Sequence, residues 1–185
     1  MRGCVTVRMF IGIPILGEAL EEIKRIVEMV QSPKGKITPL GNLHMTLAFL
    51  GEMPNQRLEA VRSAMQKVSS CYGQFSVPLA RLGTFQKSGI LFLETGDPEG
   101  KLNLLAKLVR SELGKVGVEV DGKKFVPHIT LKRRDNEEEI CEYCRGISVN
   151  KKLLWISEIY LYQSQLTKAG PHYRVYNAYP LHGGK

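Results

Sequence analysis

Long hydrophobic runs and cysteines are both scarce in this sequence, and each shortage excludes a class of protein. The longest apolar run near the start, residues 9–16, falls far short of the roughly 18 residues of a membrane-spanning helix. Four cysteines in 185 residues are too few for a disulfide scaffold. Cys141 and Cys144 form a C-x-x-C, but Cys4 and Cys71 do not supply the second pair of a zinc site. We therefore expect reduced, intracellular cysteines and no membrane association.

Motifs for nucleotide-dependent and metal-dependent chemistry are also absent. No G-x-x-x-x-G-K-[ST] phosphate loop occurs, since Gly35-Lys36 is followed by Ile37, and there is no K-x-D-G lysine for covalent nucleotidylation. The zinc hydrolase patterns H-x-H and H-E-x-x-H do not occur either. The sequence therefore argues against an ATP-dependent ligase, a kinase or a metallohydrolase, and we predict no metal and no other cofactor.

Acidic side chains are outnumbered by basic ones. The chain has 26 Lys and Arg against 18 Asp and Glu, a net charge of +8, so its average surface attracts polyanions such as nucleic acid. A generally basic soluble protein is the alternative that charge alone leaves open. With 43% hydrophobic and 24% charged residues, the composition excludes collagen-like, low-complexity and wholly disordered proteins.

Strand-like and helix-like segments alternate along the chain without a linker between domains. Apolar residues at helical spacing predict helices over residues 16–31, 55–68 (capped by Asn55), 98–113 and 135–145. β-Branched and alternating segments predict strands over residues 5–15, 43–50, 75–82, 88–94, 123–131 and 153–163, with a last strand after a turn at residues 170–174. The pattern lacks the tight, glycine-containing turns that join alternating strands and helices in a Rossmann sheet, so we predict a mixed α+β fold.

The most informative feature is a repeated tetrapeptide, His44-Met45-Thr46-Leu47 and His128-Ile129-Thr130-Leu131, whose copies lie 84 residues apart. In a strand, alternate side chains share a face, so each copy presents its histidine and threonine together and buries its apolar residues. Two copies facing each other across a cleft bring together two imidazoles, which can act as general acid and base, and two hydroxyls, which can bind phosphate oxygens.

For a single copy, a buried structural histidine is the better explanation; two copies in matching strands favour a metal-free phosphodiester site. Basic residues concentrate near the second copy: Lys123, Lys124, Lys132, Arg133 and Arg134. Such a cluster is usually a solvated face, but beside this motif it can neutralise a phosphate and hold a nucleic-acid backbone.

These residues resemble the two-histidine phosphoesterase superfamily, and within it the archaeal and bacterial RNA 2′,3′-cyclic phosphodiesterase family, formerly called 2′-5′ RNA ligase. The similarity covers nearly the whole chain, at residues 8–13, 44–52, 125–133 and 164–173. It implies a bilobal α+β fold with two antiparallel or mixed sheets, helices outside, and pseudo-twofold symmetry around a central cleft. We expect residues 1–185 to form one two-lobed domain, with residues 1–6 as a dispensable extension.

The resemblance also implies an activity, the opening of a terminal ribonucleoside 2′,3′-cyclic phosphate to the 2′-phosphate. In the family's usual assignment His44 protonates the leaving 3′ oxygen and His128 activates water, an order that the residues themselves leave open. Thr46 and Thr130 would hold the phosphate.

Arg133, in the family's H-x-T-x-x-R, and Tyr173, in its G-P-x-Y, would complete the substrate site. Strict alternation from His128 puts Lys132 on the cleft face, so Arg133 reaches the phosphate only if the strand bends, bulges or ends there. Phe10, Phe49 and Tyr173 are aromatic residues on which a base could stack, although core packing is the expected role of Phe10 and Phe49. Neither His172 nor His182 belongs to the predicted catalytic set.

The expected partner is RNA ending in a 2′,3′-cyclic phosphate, with tRNA halves as one source, acted on by a cytoplasmic monomer. Reversible 2′-5′ ligation is chemically allowed, since one acid and base serve both directions. Two alternatives remain at this point. The same cleft could bind a nucleotide or RNA end without turnover, or the same chemistry could act on another cyclic phosphate or on a 2′-5′ linkage.

Overall fold

The computed structural model describes residues 6–31, 34–85, 88–134, 137–168 and 170–182. Within these ranges it contains four α-helices, α1 Gly17–Met29, α2 Leu58–Cys71, α3 Lys101–Lys115 and α4 Glu137–Gly146. The same ranges contain nine strands: β1 Thr6–Pro14, β2 Lys36–Ile37, β3 His44–Pro54, β4 Phe75–Phe85, β5 Ile90–Thr95, β6 His128–Arg133, β7 Leu153–Ile156, β8 Glu158–Thr167 and β9 Gly170–Pro180. The predicted α+β class is confirmed.

Every strand pairing in the described residues is antiparallel, and the pairings connect the strands in the order β7-β4-β5-β6-β3-β1-β8-β9, with β2 added to β6. The order divides into two halves of four strands, and each half has one tetrapeptide strand, β3 or β6, at its inner edge. The residue pair Met45 and Ile129 joins the halves. Where the resemblance implies two sheets, the structure therefore has one continuous sheet whose halves meet at the tetrapeptides.

Apolar stripes at helical spacing pack the helices onto this sheet. In α1, Ala19, Ile23 and Ile26 are fully buried and recur every three to four residues, which places them on one helix face. On the two tetrapeptide strands, the apolar residues that follow the histidines, Met45 and Ile129, are also fully buried. Because a shift of one residue would exchange the two faces of a strand, this burial fixes the register that exposes the histidines.

Two predicted helix starts differ from the structure. Asn55 does not cap α2; it begins a short 3₁₀ turn, Asn55–Arg57, and the α-helix starts at Leu58. The third helix starts at Lys101 and not at residue 98. There the Asp97 carboxylate accepts two main-chain N–H groups of the first helical turn, each at 3.0 Å, which satisfies donors that a helix start otherwise leaves unpaired.

Two predicted strands also differ. Residues 153–163 form parts of two strands in different halves of the sheet, since β7 pairs with β4 and β8 pairs with β1; the chain changes halves at Ser157. The strand predicted over residues 123–131 begins only at His128. The irregular segment before it is held by Arg110, which donates hydrogen bonds to the carbonyls of Asp121 and Lys123 at 3.1 and 2.8 Å.

The first strand, the first helix, the strands predicted over residues 75–82 and 88–94, the short helix α4 and the terminal strand β9 are confirmed. Parts of two predictions fall outside the described residues, namely residues 1–5 of the proposed extension and Asp135 at the start of the fourth predicted helix. Within the described ranges, no helix has the length and apolar character needed to cross a bilayer. Cys141 and Cys144 are free thiols on α4.

Candidate active site

The structure brings the two tetrapeptides to one cavity of about 470 Å³, lined by His44, Thr46, His128, Thr130 and Arg133 among others. His44 is the first residue of β3 and His128 the first of β6, and these strands run antiparallel through the Met45–Ile129 pair. In that register each histidine stands beside the threonine of the other copy. Residues 84 positions apart in the sequence therefore face one small volume.

Both imidazoles are held in the same way by main-chain oxygens. His44 Nδ1 lies 2.6 Å from the carbonyl oxygen of Asn42, and His128 Nδ1 lies 2.7 Å from that of Val126. A carbonyl oxygen only accepts, so Nδ1 carries the proton in both rings and Nε2 of the neutral ring keeps its lone pair. His44 Nε2 is 3.1 Å from Thr46 Oγ1, which donates to it. Each Nε2 is thus the atom available for proton transfer.

Burial keeps both imidazoles neutral near pH 7. It lowers the pKa of His44 to about 4, with Arg133 and His128 adding smaller effects in the same direction against the raising effect of the Asn42 carbonyl. Burial, and then the charge of Arg133, also lower the pKa of His128. A bound phosphate would bring a negative charge close to both rings and would oppose the positive charge of Arg133. It would therefore raise the pKa of both rings.

The lowered pKa of His44 predicts an acid-dependent loss of stability. Below pH 6.5 the unfolded chain binds a proton at His44 that the folded protein does not bind until about pH 4. The free energy of unfolding should therefore fall as pH drops from 6.5 to 4, by about 3 kcal/mol from this one group. Urea unfolding at pH 7 and pH 4 measures the fall, and His44→Gln should lose that much less between the two pH values. An equal fall in both proteins would contradict the burial of a neutral imidazole.

An aromatic wall surrounds His44. The Phe10, Tyr173 and Tyr162 rings lie 4.7, 5.1 and 5.8 Å from the imidazole, between ring centroids. Asn42 fixes this wall, since its Nδ2 donates to the Pro171 carbonyl at 2.7 Å and its Oδ1 accepts the Tyr173 N–H at 3.2 Å. The wall covers part of the ring and so contributes to the burial that lowers its pKa. Sequence reasoning missed Asn42 and Tyr162, because a local pattern does not show which segments distant in the sequence come into contact.

His128 has a smaller aromatic environment. The Phe85 and Phe92 rings lie 5.0 and 5.4 Å from it. Phe49, which was expected in the core, is half exposed and lines the cavity instead, whereas Phe10 is buried as predicted.

Two glycines, Gly12 on β1 and Gly83 on β4, lie against these rings. A Cβ on Gly12 would lie 3.3 Å from the Tyr162 ring and 3.5 Å from Cδ2 of His44. A Cβ on Gly83 would lie 2.6 Å from the Phe92 ring, closer than van der Waals contact allows. A side chain at position 83 would therefore displace the Phe92 ring, which contacts His128, whereas at position 12 the tightest contact would be 3.1 Å, to the main-chain oxygen of Met45.

A bulge in β6 brings Arg133 into the cavity. Between Thr130 and Lys132 this strand holds one residue, Leu131, that has no counterpart on β5. The alternation shifts there, so Arg133 faces the same side as Thr130 and its Nη2 donates to Thr130 Oγ1 at 3.4 Å. Lys132 is fully buried, with Nζ 5.5 Å from the Tyr143 ring centroid. The expectation from strict alternation that Lys132 faces the cleft is therefore wrong. The strand bulges, as Arg133 requires if it is to reach the cleft.

The first copy has a bulge at the same place. Between Thr46 and Ala48, β3 holds one residue, Leu47, that has no counterpart on β1. In both copies the extra residue is the fourth of the tetrapeptide, and Leu47 and Leu131 are both fully buried. The two copies thus share a backbone irregularity as well as a sequence. Arg110 of α3 also donates to the Leu47 carbonyl, at 3.4 Å, and so links the first bulge to the irregular segment before His128.

The remaining predicted residues divide between two cavities. Lys123 and Lys124 line the cavity described above. Tyr173 lines an adjoining cavity of about 490 Å³, which also includes His44, Thr130 and Arg133.

Comparison with known proteins adds independent findings. Residues 16–166 match the family model described as the 2′-5′ RNA ligase superfamily. A Geobacillus stearothermophilus protein named RNA 2′,3′-cyclic phosphodiesterase is 31% identical over 180 residues, which cover 94% of this chain but only 57% of that protein's length. An Aquifex aeolicus protein of the same name is 30% identical over 189 residues, covering 96% of this chain and 98% of that protein. The crystal structure of Escherichia coli LigT complexed with 3′-AMP superposes with a TM-score of 0.76 at 25% identity, covering 95% of this chain and 98% of that one.

Proposed function

Because the chain belongs to the 2′-5′ RNA ligase superfamily, we propose that it is an RNA 2′,3′-cyclic phosphodiesterase that opens a terminal cyclic phosphate to a 2′-phosphate. The observation that carries this proposal is the single cavity shared by His44 and His128, each with Nδ1 held by a carbonyl oxygen. The names of the two relatives support the same reaction, and the LigT complex with 3′-AMP supports a nucleotide as the bound group.

In the proposed reaction, water attacks phosphorus and gives its proton to Nε2 of His128. The bond from phosphorus to the 3′ oxygen breaks, and that oxygen takes a proton from Nε2 of His44. The product carries a 2′-phosphate and a free 3′-hydroxyl, and transfer of the proton from His128 back to His44 restores the site. His44 is the proton donor in the family's usual assignment, and it must hold its proton when the 3′ oxygen leaves. Because its pKa is lowered in the free protein, the negative charge of the bound phosphate, which raises that pKa, favours the protonated form.

Three groups would bind the phosphate while this happens. Thr46 and Thr130 supply hydroxyl donors, and Arg133 supplies a cation beside Thr130. The developing negative charge on the nonbridging oxygens is then opposed by fixed groups that need little reorganisation. Because the histidines provide both proton transfers and Arg133 provides the charge, the proposed mechanism uses no metal or nucleotide cofactor.

One experiment tests the proposal directly. The protein is incubated, with and without EDTA, with an oligoribonucleotide ending in a 2′,3′-cyclic phosphate, and the 2′ or 3′ position of the product phosphate is identified. We expect a 2′-phosphate at a rate that EDTA does not change. Tight binding without opening would favour a binding module, a 3′-phosphate would reverse the assigned leaving group, and loss of activity restored by a metal would indicate a metal site.

The pKa shifts predict the shape of the pH profile. The reacting form holds one proton on the histidine pair, so kcat/KM should be bell-shaped with its maximum between about pH 4 and 6.5, because both free-protein pKa values lie below 6.5. Bound phosphate raises both values, so the kcat maximum should lie at higher pH than the kcat/KM maximum. Steady-state rates from pH 4 to 9 measure both curves, and profiles flat from pH 5 to 9 would contradict paired acid-base catalysis.

We also propose reversible 2′-5′ ligation by the same site. A 5′-hydroxyl of a second RNA takes the place of water at phosphorus, and its proton goes to the same base. Incubation of the cyclic-phosphate oligonucleotide with a 5′-hydroxyl RNA should yield a 2′-5′ linked product that the protein itself can cleave.

A further inference from the structure

The second cavity extends away from the histidines in its own direction. Its volume is about 490 Å³, and it passes between β2 and the β8–β9 hairpin. We call it the basic groove, defined by Lys36, Arg134 and Lys168. The first cavity is called the aromatic cavity, defined by Phe49, Phe85 and Phe125. The two share His44, Thr130 and Arg133, so two open volumes diverge from one reaction centre.

The basic groove carries positive charge without acidic neighbours. Four cations line it, Lys36, Arg133, Arg134 and Lys168, and no acidic residue is among its described lining residues. In the part of the chain that the structure describes, none of the four forms an ion pair. Lys36 is paired in register with Arg133, so the charge continues from the reaction centre into the groove. Several unneutralised cations in a row suit a series of phosphates.

The backbone at Arg134 supports the same interpretation. This residue has φ of 57°, a left-handed conformation that residues other than glycine adopt rarely. It follows directly on β6 and turns the chain so that Arg134 lines the groove next to Arg133. Conformations of this kind persist where the surrounding fold imposes them, and they concentrate at functional sites.

The aromatic cavity differs in chemistry. Besides the shared Arg133, its cations are Arg110, Lys123 and Lys124, and it also contains the acidic Asp121. Arg110 is already bound within the protein, with Nη2 3.7 Å from Asp121 Oδ1 and hydrogen bonds to two main-chain carbonyls of the irregular segment. Phe49 is half exposed there. Exposed aromatic rings suit a nucleobase, which has an apolar face and stacks on them.

The base and the rest of the RNA extend in different directions from a terminal ribose, as the two cavities do from the reaction centre. Its ribose carries the cyclic phosphate on the 2′ and 3′ oxygens, the base on C1′, and the rest of the RNA on the 5′ oxygen. We propose that the nucleotides on the 5′ side of the reacting phosphate lie in the basic groove, where their phosphates contact Lys36, Arg134 and Lys168, and that the aromatic cavity is left for the terminal base. This inference rests on the proposed function and narrows it: the protein acts on an RNA strand in preference to a free nucleoside cyclic phosphate.

The test compares two substrates, a nucleoside 2′,3′-cyclic phosphate and a five-nucleotide RNA ending in the same group. The readout is the ratio of kcat/KM for RNA to kcat/KM for the nucleoside. Wild type is compared with the double variant Lys36→Ala/Lys168→Ala. Two controls remove the same charge elsewhere: Lys123→Ala/Lys124→Ala in the aromatic cavity, and Lys107→Ala/Lys151→Ala at exposed positions that line neither cavity.

We expect the ratio to fall about tenfold in the Lys36/Lys168 variant at low salt and to change little in both controls. The logarithm of kcat/KM for RNA should also depend less steeply on the logarithm of salt concentration in that variant, by about 0.7 for each phosphate contact removed. An unchanged ratio, or a larger fall in the Lys123/Lys124 variant, would overturn the proposal. If neither substrate is opened, the proposed function fails, and the groove is still tested by the same variants' relative affinity for a five-nucleotide RNA and for AMP.

Discussion

Replacing either His44 or His128 with alanine is expected to lower kcat on a cyclic-phosphate RNA by at least about 10²-fold. In the proposed mechanism each imidazole supplies a different proton transfer, and neither Thr46 nor Thr130 can replace it, because a hydroxyl does not titrate near neutral pH. KM should change less than kcat, since Arg133 and the threonines still bind the phosphate. Single-turnover rates in each variant, measured from pH 5 to 8, test this expectation.

A loss of folding must be separated from a loss of chemistry in these variants. His172→Ala is the matched control, because His172 is exposed on β9 and lines neither cavity, so it should keep wild-type turnover. Circular dichroism and thermal unfolding of all three variants check that the fold is intact. Near-normal turnover in a folded His44→Ala or His128→Ala protein would remove that residue from the mechanism.

The face on which each histidine lies could be predicted from the sequence, whereas the bulges could not. Alternation in a strand explains why His44 and Thr46 share a side and why Met45 is buried. The bulges at Leu47 and Leu131 depend on pairing with β1 and β5, which a single-strand pattern does not contain. As a result, alternation failed where it was extended past the bulge, and it placed Lys132 in the cleft instead of Arg133.

Contacts between distant segments account for the other differences. The Asn42 side chain binds residues of the β8–β9 hairpin, and Ser157 separates two strands that belong to different halves of the sheet. Both features are set by topology, and the residues around Ser157 show only a continuous alternating pattern. The repeated tetrapeptide, in contrast, could be interpreted from the sequence alone, because two copies of one local pattern imply two equivalent places in the fold.

Arg133→Ala is expected to lower kcat by about 10²- to 10³-fold, the range found when one fixed donor to a developing oxyanion is removed. It should also change the pH dependence, which loss of binding alone would not do. The Arg133 charge lowers the pKa of both histidines, so removing that charge raises both values. The reacting form, with one proton on the pair, then persists to higher pH, and the maximum of kcat/KM should move upward.

Arg133→Lys separates charge from geometry in the same assay. Lysine keeps the positive charge, so the pH maximum should stay near that of the wild type, but it cannot reproduce the planar fork that donates to Thr130 and to phosphate oxygens. We therefore expect Arg133→Lys to recover the pH profile and only part of the rate. If Arg133→Ala lowered the rate without moving the pH maximum, the charge of Arg133 would not be acting on the histidine pair. If the alanine variant kept the wild-type rate, Arg133 would have no part in binding the phosphate.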